Sequence, residues 1–178
     1  MAVIKMKDIS DALKKVFKQG NYFNVGTIHE SADGAKVPLK LDFHESHGTQ
    51  KLFALAGPII DALSRGMTLF VDEIDSRLHP ILTIELLKMF RTDESNKKNA
   101  QIIFTTHDSN LLSRRTDLLR RDQIWFTEKR PDESTDLYSL AEFGPRKDEA
   151  LDINYLRGKY GAVPFLSGLS SLMDKKHG

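Results

Sequence analysis

The sequence predicts an α/β fold with a parallel sheet, and two apolar stretches that end in chemically active residues lead to this prediction. Residues 68–71 run directly into Asp72 and Glu73, and residues 101–105 run into Thr106 and His107. A strand of a parallel sheet is buried on both faces, so it reads as a continuous apolar run. Amphipathic helical patterns precede the first stretch and separate it from the second.

The composition is that of a soluble globular protein. The chain has 178 residues, a net charge of +1 and no cysteine. This length suffices for one domain with its own core, and the lack of cysteine excludes disulfides and thiolate metal sites. No run reaches the ~18 to 20 apolar residues that a membrane-spanning helix needs. We therefore expect a cytoplasmic protein with no membrane partner.

The first 44 residues predict a helix and a β-hairpin that belong to the same lobe as the rest. Apolar residues recur at helical spacing over residues 8–17. Two strand patterns at residues 24–30 and 36–43 then flank an Asp-Gly turn, which is typical of a hairpin. In the second strand, Val37, Leu39, Leu41 and Phe43 alternate with polar residues, as in a half-buried strand. We expect this hairpin to carry no chemistry.

A turn at Glu45, Ser46 and Gly48 leads into a long amphipathic helix. Ser46 is a suitable N-cap, and exposed amides at Gly48 and Thr49 would form an anion site at the helix N-terminus. Glycine at position 48 would also let the backbone approach a phosphate closely. An ordinary capped helix is the alternative.

Three carboxylates follow the first apolar strand, at Asp72, Glu73 and Asp75. The carboxyl end of a strand is where open α/β sheets bind ligands. Asp72 would be placed to hold Mg²⁺ through water, because Mg²⁺ keeps several waters and takes few protein ligands. Glu73 would be placed to orient or deprotonate a water. The alternative is a strand that ends in an acidic, solvated loop. His79-Pro80 then begins the next helix, with proline at a first-turn position.

His107 follows the second strand and is a candidate phosphate sensor. A neutral imidazole can accept a hydrogen bond from water and donate one to a phosphate; a polar surface histidine is the alternative. Beyond it, the arginines between positions 114 and 121 form a basic interval. We interpret that interval as a solvated face, because a near-zero net charge gives no support for a DNA contact.

The C-terminal part predicts a second hairpin from strands at 122–128 and 137–140, then a short helix at 152–156. Residues 157–165 form an irregular aromatic and basic segment that we expect to dock back on the lobe. Residues 167–178 are a terminal tail.

In this order, the motifs resemble the signature, Walker B, D-loop and His-switch of an ABC-type ATPase head, the class that includes the SMC, Rad50 and OLD proteins. The set is most similar to the bacterial AAA15-type (AAA_21) ATPases, often found in anti-phage defence loci. The resemblance covers roughly residues 45–166. Its motifs are Glu45-Ser46-x-Gly48-Thr49, Asp72-Glu73-x-Asp75-x-x-Leu78-His79-Pro80, Phe104-Thr105-Thr106-His107, the run from Arg120 to Phe126 and the run from Tyr155 to Gly161.

The resemblance implies ATP and Mg²⁺ as cofactors and the C-terminal half of a P-loop NTPase fold, a three-layer ABC-ATPase-like head. Asp72 would bind Mg²⁺, Glu73 would activate the attacking water and His107 would sense the γ-phosphate. The signature would contact the γ-phosphate held by the other head of a dimer, and Asp75 would lie in the D-loop across that dimer. The signature departs from the common Leu-Ser-Gly-Gly form. The nucleotide-contacting positions implied here are Ser46, Gly48, Thr49 and Asp75.

No Gly-x-x-x-x-Gly-Lys-[Ser/Thr] occurs in the sequence. That loop supplies the backbone cradle and the lysine for ATP phosphates, and in ABC-type heads it precedes the signature. We therefore expect a C-terminal lobe that needs a Walker A-containing lobe or a full-length ATPase as partner. The resemblance also suggests a head-to-head dimer, a defence role and an effector nuclease partner.

Two other functions stay open at this stage. The chain could be a non-catalytic module that binds and regulates a complete ATPase head. It could also be a metal-dependent nuclease, because carboxylates clustered near a histidine can bind a divalent metal.

Overall fold

The computed structural model describes residues 25–130 and 132–164. The predicted helix at 8–17 and the tail at 167–178 lie outside these residues. The chain divides into two compact units, Met1–Gln50 and Lys51–Gly178, and each is described by itself. The assignment of residues 1–44 to the same lobe as the rest stays a prediction.

The first unit contains the predicted hairpin. Strands β1 (Gly26–Glu30) and β2 (Lys36–Lys40) pair antiparallel. The turn between them is closed by the amide of Ser31, which donates to the carbonyl of Ala35 at 2.9 Å. Gly34 adopts a φ of +80° in this turn, a conformation that glycine reaches without steric cost. The hairpin and its Asp-Gly turn are confirmed.

The predicted extension of the second strand to residue 43 is wrong. Helix α1 (Leu41–His44) replaces the last three strand positions. The amide of Leu41 makes the last bond towards β1, to the carbonyl of Val25 at 3.1 Å. Leu41 is then buried while Phe43 is exposed, so the apolar alternation did not mark one buried face.

Helix α2 (His47–Arg65) is the long amphipathic helix. Ser46 caps it as predicted, because the Ser46 Oγ accepts from the amide of Thr49 at 3.1 Å. The helix continues through Pro58. It ends at Gly66, which has a φ of +72° and whose amide donates to the carbonyl of Ala62 at 2.8 Å. Its buried side chains are Leu55, Ile59, Ala62 and Leu63.

The predicted parallel pairing is confirmed in the second unit. Strand β3 (Thr68–Val71) pairs parallel with β4 (Gln101–Phe104). Helix α3 (Pro80–Arg91) joins them, with His79 as its N-cap and Pro80 at its first turn. One core cluster joins α2, α3 and this pair of strands, and its best-buried members are Ile59, Ile74, Leu87 and Leu111.

A second cluster lies in the C-terminal part. Strands β5 (Trp125–Lys129) and β6 (Thr135–Ser139) pair antiparallel, and helix α4 (Leu151–Leu156) follows. The predicted start of the fifth strand at residue 122 is wrong. Gln123 accepts from the amide of Arg120 at 2.9 Å and closes a 3₁₀ turn over Arg121–Gln123. The cluster contains Ile124, Phe126, Leu140, Leu151 and Tyr160.

These helices and strands confirm an α/β chain, with one parallel and two antiparallel strand pairs among the described residues. None of the helices in that part of the chain is long and apolar enough to cross a membrane.

The end of α2 gives a stability test. A Cβ at Gly66 would lie 2.4 Å from the carbonyl oxygen of Lys98, and its φ is positive. We expect Gly66→Ala to lower the free energy of unfolding by about 2 kcal/mol or more. Gly144→Ala is the matched control: its φ is also positive, at +55°, but nothing lies within 4 Å of the added Cβ, so it should lower the free energy of unfolding by only about 1 kcal/mol. Chemical denaturation of both variants measures this, and equal effects would contradict it.

Candidate functional site

The carboxylates that follow β3 sit on a turn that is anchored in the core. Ile74 is fully buried and Leu78 nearly so, while Asp72 and Glu73 are exposed. The turn is closed by two backbone bonds, from the amide of Ser76 to the carbonyl of Glu73 at 3.0 Å and from the amide of Leu78 to the carbonyl of Asp75 at 3.1 Å. The apolar residues of the motif therefore hold its acidic residues at the surface.

The turn is also bonded to the end of β4 through Thr105. The Thr105 hydroxyl donates to Asp72 Oδ1 at 2.5 Å and accepts from the amide of Glu73 at 2.8 Å. The Thr105 carbonyl accepts from the amide of Ile74 at 3.0 Å. Our sequence reasoning gave Thr105 no role of its own. The signal was its position just past a strand parallel to the one that precedes the carboxylates.

Glu73 has an unusual backbone conformation. Its φ is +46°, in the left-handed region that residues with a Cβ seldom adopt. The carbonyl of Glu73 also lies 3.5 Å from the Nζ of Lys51. Backbone strain of this kind tends to occur at functional sites, where surrounding contacts maintain it.

His107 lies beside this turn. Its Nε2 is 3.7 Å from Glu73 Oε1, and its amide donates to Asp75 Oδ1 at 3.4 Å. The side chains of His107 and Glu73 are 85% and 56% exposed. An exposed pair of this kind contributes little stability, so both side chains can turn towards a ligand at low cost. The structure thus brings together Asp72, Glu73, Asp75 and His107.

The position of Asp72 suits a water-mediated Mg²⁺. Thr105 occupies Oδ1 of Asp72, and no hydrogen bond within the described residues engages Oδ2. Magnesium commonly takes one or two protein carboxylates and completes its shell with water and substrate phosphates. Residues 25–130 and 132–164 contain no group of three or more His, Asp or Glu side chains that could hold a metal on their own.

The predicted signature turn lies in the first unit. Glu45 accepts a hydrogen bond from Thr27 Oγ1, and its Oε1 is 2.6 Å from His29 Nε2. The bond from Thr27, and then the one from His29, lowers the pKa of Glu45. Ser46 Oγ is also 3.0 Å from Thr49 Oγ1. The amide of Thr49, which we expected to be exposed, donates to Ser46 within the turn.

An open cleft of about 580 Å³ extends from the carboxylates along the second unit. Asp72, Glu73 and His107 are among the residues that line it. Its other walls come from β5 and from the segment after α4, and the sequence did not predict that these would face the carboxylates. The lining residues beyond the acidic turn include Trp125, Thr127, Lys129, Tyr155 and Pro164.

The segment after α4 docks on the second cluster, as we expected. Tyr160 is buried and stacks on Phe126 with ring centroids 6.0 Å apart. Tyr155 donates to the carbonyl of Ala162 at 3.0 Å, and the Tyr138 hydroxyl donates to the carbonyl of Tyr160 at 2.8 Å. Burial, and then the neighbouring Glu128, raises the pKa of Tyr138 to about 12. These bonds fix the wall of the cleft.

Glu149 fastens the same segment. Its Oε1 accepts from Lys159 Nζ, from the Tyr160 hydroxyl at 2.7 Å and from Asn154 Nδ2 at 2.8 Å. The hydrogen bonds from Lys159 and then Tyr160 lower the pKa of Glu149 to about 2. The ionised carboxylate is therefore the form that holds the segment in place.

One comparison with known proteins gives a match. The family model AAA_21, described as "AAA domain, putative AbiEii toxin, Type IV TA system", matches residues 5–113, more than half of the chain. The matched range includes the signature turn, the acidic turn and His107. It ends before β5, so the motifs at residues 120–126 and 155–161 lie outside it. Neither the curated proteins nor the solved structures gave a match.

The Glu149 contacts predict a pH-dependent stability. Because folding depresses the pKa of Glu149 from 4.5 to about 2, its stabilising effect is complete above pH 4.5 and is lost as the pH falls towards 2. Glu149→Gln should lower the melting temperature near neutral pH, and its difference from wild type should shrink on acidification.

The matched control is Glu94→Gln, a change at an exposed glutamate in the loop after α3. It should leave the melting temperature close to the wild-type value at each pH. A Glu149→Gln deficit that stays constant down to pH 3 would show that the charge of Glu149 is not what holds the segment.

Proposed function

The chain belongs to the AAA_21 family of AAA domains, and on this premise we propose that it is the C-terminal lobe of an ABC-type ATPase head. The family supports a P-loop ATPase-like, nucleotide-using protein. The finer assignment rests on one observation: Asp72, Glu73 and His107 meet where the parallel strands β3 and β4 end. That edge of an α/β sheet is the usual place for a ligand.

Each of these residues has a role that its geometry supports. Asp72 would hold Mg²⁺ through water with its Oδ2. Glu73, an exposed residue that lines the cleft, would accept a proton from the water that attacks the γ-phosphorus in line. His107, whose Nε2 lies 3.7 Å from Glu73 Oε1, would donate a hydrogen bond from its imidazole to the γ-phosphate. Bound Mg²⁺ would neutralise charge on the phosphoryl oxygens.

The phosphate cradle would come from another lobe or chain, because the sequence has no phosphate loop. The uncovered face of the β3–β4 pair supports this. Phe70 and Ile103 are cross-strand partners, and they are 71% and 52% exposed. Parallel strands are normally covered on both faces, so we propose that the Walker A-containing lobe covers this pair.

The signature turn would act across a head-to-head dimer. We propose that Ser46 and Gly48 complete the nucleotide site of the opposite head and that Asp75 lies at the same dimer contact. To serve a phosphate, the amide of Thr49 would exchange its bond with Ser46 for one to the ligand. The defence role, the cytoplasmic location and an effector nuclease as partner are proposals that the resemblance supports.

A second candidate is a regulatory module that binds a complete ATPase head. The same two observations favour it: the missing phosphate loop and the exposed pair Phe70 and Ile103. The two candidates differ in what the carboxylates do. A regulatory module would stimulate or inhibit a complete head whether or not Glu73 carries a charge, whereas a catalytic lobe requires that charge.

Glu73→Gln tests the proposed function in the complete ATPase assembly. Removing the general base should reduce phosphate release by about 10²- to 10⁴-fold, while binding of a fluorescent ATP analogue persists. Glu94→Gln is the charge-matched control and should hydrolyse ATP at the wild-type rate. Turnover that persists in Glu73→Gln would remove Glu73 as the base and favour the regulatory module.

Phe70→Lys tests the proposed lobe interface. Because Phe70 is exposed, the change should alter the free energy of unfolding of this chain by no more than about 0.5 kcal/mol. Its melting temperature should therefore stay close to the wild-type value. It should weaken binding to a phosphate-loop lobe about tenfold or more, as calorimetry would measure. Ile60→Lys is the control, since Ile60 is also exposed but lies on α2. Equal binding by the two variants would place the interface elsewhere.

A further inference from the structure

We propose that Thr105 is a positioning residue that sets the geometry of both candidate catalytic carboxylates. Its catalytic meaning rests on the proposed function, but its structural basis does not. One hydroxyl reaches the side chain of Asp72 and the backbone of Glu73, at 2.5 and 2.8 Å. Both residues therefore take their placement from the same atom.

The two bonds are mutually consistent in donor and acceptor roles. A threonine hydroxyl has one hydrogen to donate and lone pairs to accept with. Here the hydrogen goes to the carboxylate of Asp72, and a lone pair receives the amide of Glu73. A bond in which one partner is ionised is shorter and stronger than a neutral one, which fits the shorter of the two distances.

The bond to the Glu73 amide acts where the backbone is strained. Glu73 holds a φ of +46°, and such a conformation persists only where surrounding contacts maintain it. Two backbone bonds of Thr105 flank Glu73 along the chain. The amide of Thr105 donates to the carbonyl of Val71 at 3.1 Å, and the carbonyl of Thr105 accepts from the amide of Ile74 at 3.0 Å. The hydroxyl of Thr105 bonds the amide of the strained residue itself.

The neighbouring threonine does not share this role. Thr106 Oγ1 accepts from the amide of Asp108 at 3.0 Å, within its own turn. The adjacent pair of threonines therefore divides into one that orients the carboxylates and one that caps the exit of β4. This difference supplies a matched control with the same chemistry one position away.

Hydrogen exchange of backbone amides in the 178-residue chain, followed by NMR, tests the structural part. Thr105→Val keeps the shape but removes the hydroxyl, and Thr105→Ser keeps the hydroxyl. We expect the Glu73 amide to exchange about tenfold faster or more in Thr105→Val, as for the loss of one hydrogen bond, and at close to the wild-type rate in Thr105→Ser. Thr106→Val should leave the Glu73 amide unchanged.

The amide of Ile74 is the internal control, because it bonds to the backbone carbonyl of Thr105. It should stay protected in every variant. If Thr105→Val loses protection at Ile74 as well, the turn has unfolded, and Thr105→Ala against Thr105→Ser then decides the question at Glu73. A Glu73 amide that exchanges equally fast with and without the hydroxyl overturns the proposal.

Kinetics of the complete ATPase assembly test the catalytic part. Thr105→Val should lower kcat about tenfold or more with little change in the KM for ATP, because it misplaces groups that act in the transition state. Thr105→Ser should restore most of kcat. Unchanged kcat in Thr105→Val, with turnover abolished in Glu73→Gln, would reject the role of Thr105 and leave the proposed function standing. Turnover that survives Glu73→Gln would reject the proposed function instead.

Discussion

The site depends on the parallel ladder between β3 and β4 continuing beyond the last residues of the two strands. The amide of Thr105 bonds to Val71, and the amide of Ile74 bonds to Thr105. The chain therefore stays in register with its neighbour while it turns, and the fully buried Ile74 locks that turn into the core. Because the burial of Ile74 and the pairing of β3 with β4 are both fixed, Asp72 and Glu73 have defined positions despite being exposed. Without this continuation they would be two acidic residues on a loose loop.

The second cluster gives the site its shape by a different route. Phe126 stacks on Tyr155 and Tyr160, which brings the segment after α4 against β5. Leu119 packs against both clusters and so links this wall to the core beneath the acidic turn. Aromatic packing and the contacts of Glu149 thus hold this wall of the cleft in place. The carboxylates and the wall of the cleft are therefore held by different interactions. Parallel strand pairing positions the carboxylates, and aromatic packing positions the wall.

Periodicity and turn residues predicted most of the helices and strands, because those signals are local. The hairpin at Gly34, the cap at Ser46, the helix start at Pro80 and the two parallel strands all follow from neighbouring residues. The errors at residues 41–44 and 121–123 arose at strand boundaries: a helix replaces the end of the second strand, and a turn closed by the Gln123 side chain delays the start of β5. The role of Thr105 was missed for a related reason. Its partners lie over 30 positions away, and spacing does not show which hydroxyl will reach them.

Position 73 must combine a left-handed backbone conformation with a carboxylate side chain. A glycine or an asparagine would hold that backbone with less strain, so a chain chosen only for stability would not carry glutamate there. The glutamate supplies a carboxylate that lines the cleft, and the bonds around it maintain the strained backbone. Under the proposed function, position 73 is a place where stability and activity trade against each other. Screens that select thermally robust variants of this protein would favour changes that remove the carboxylate from this residue.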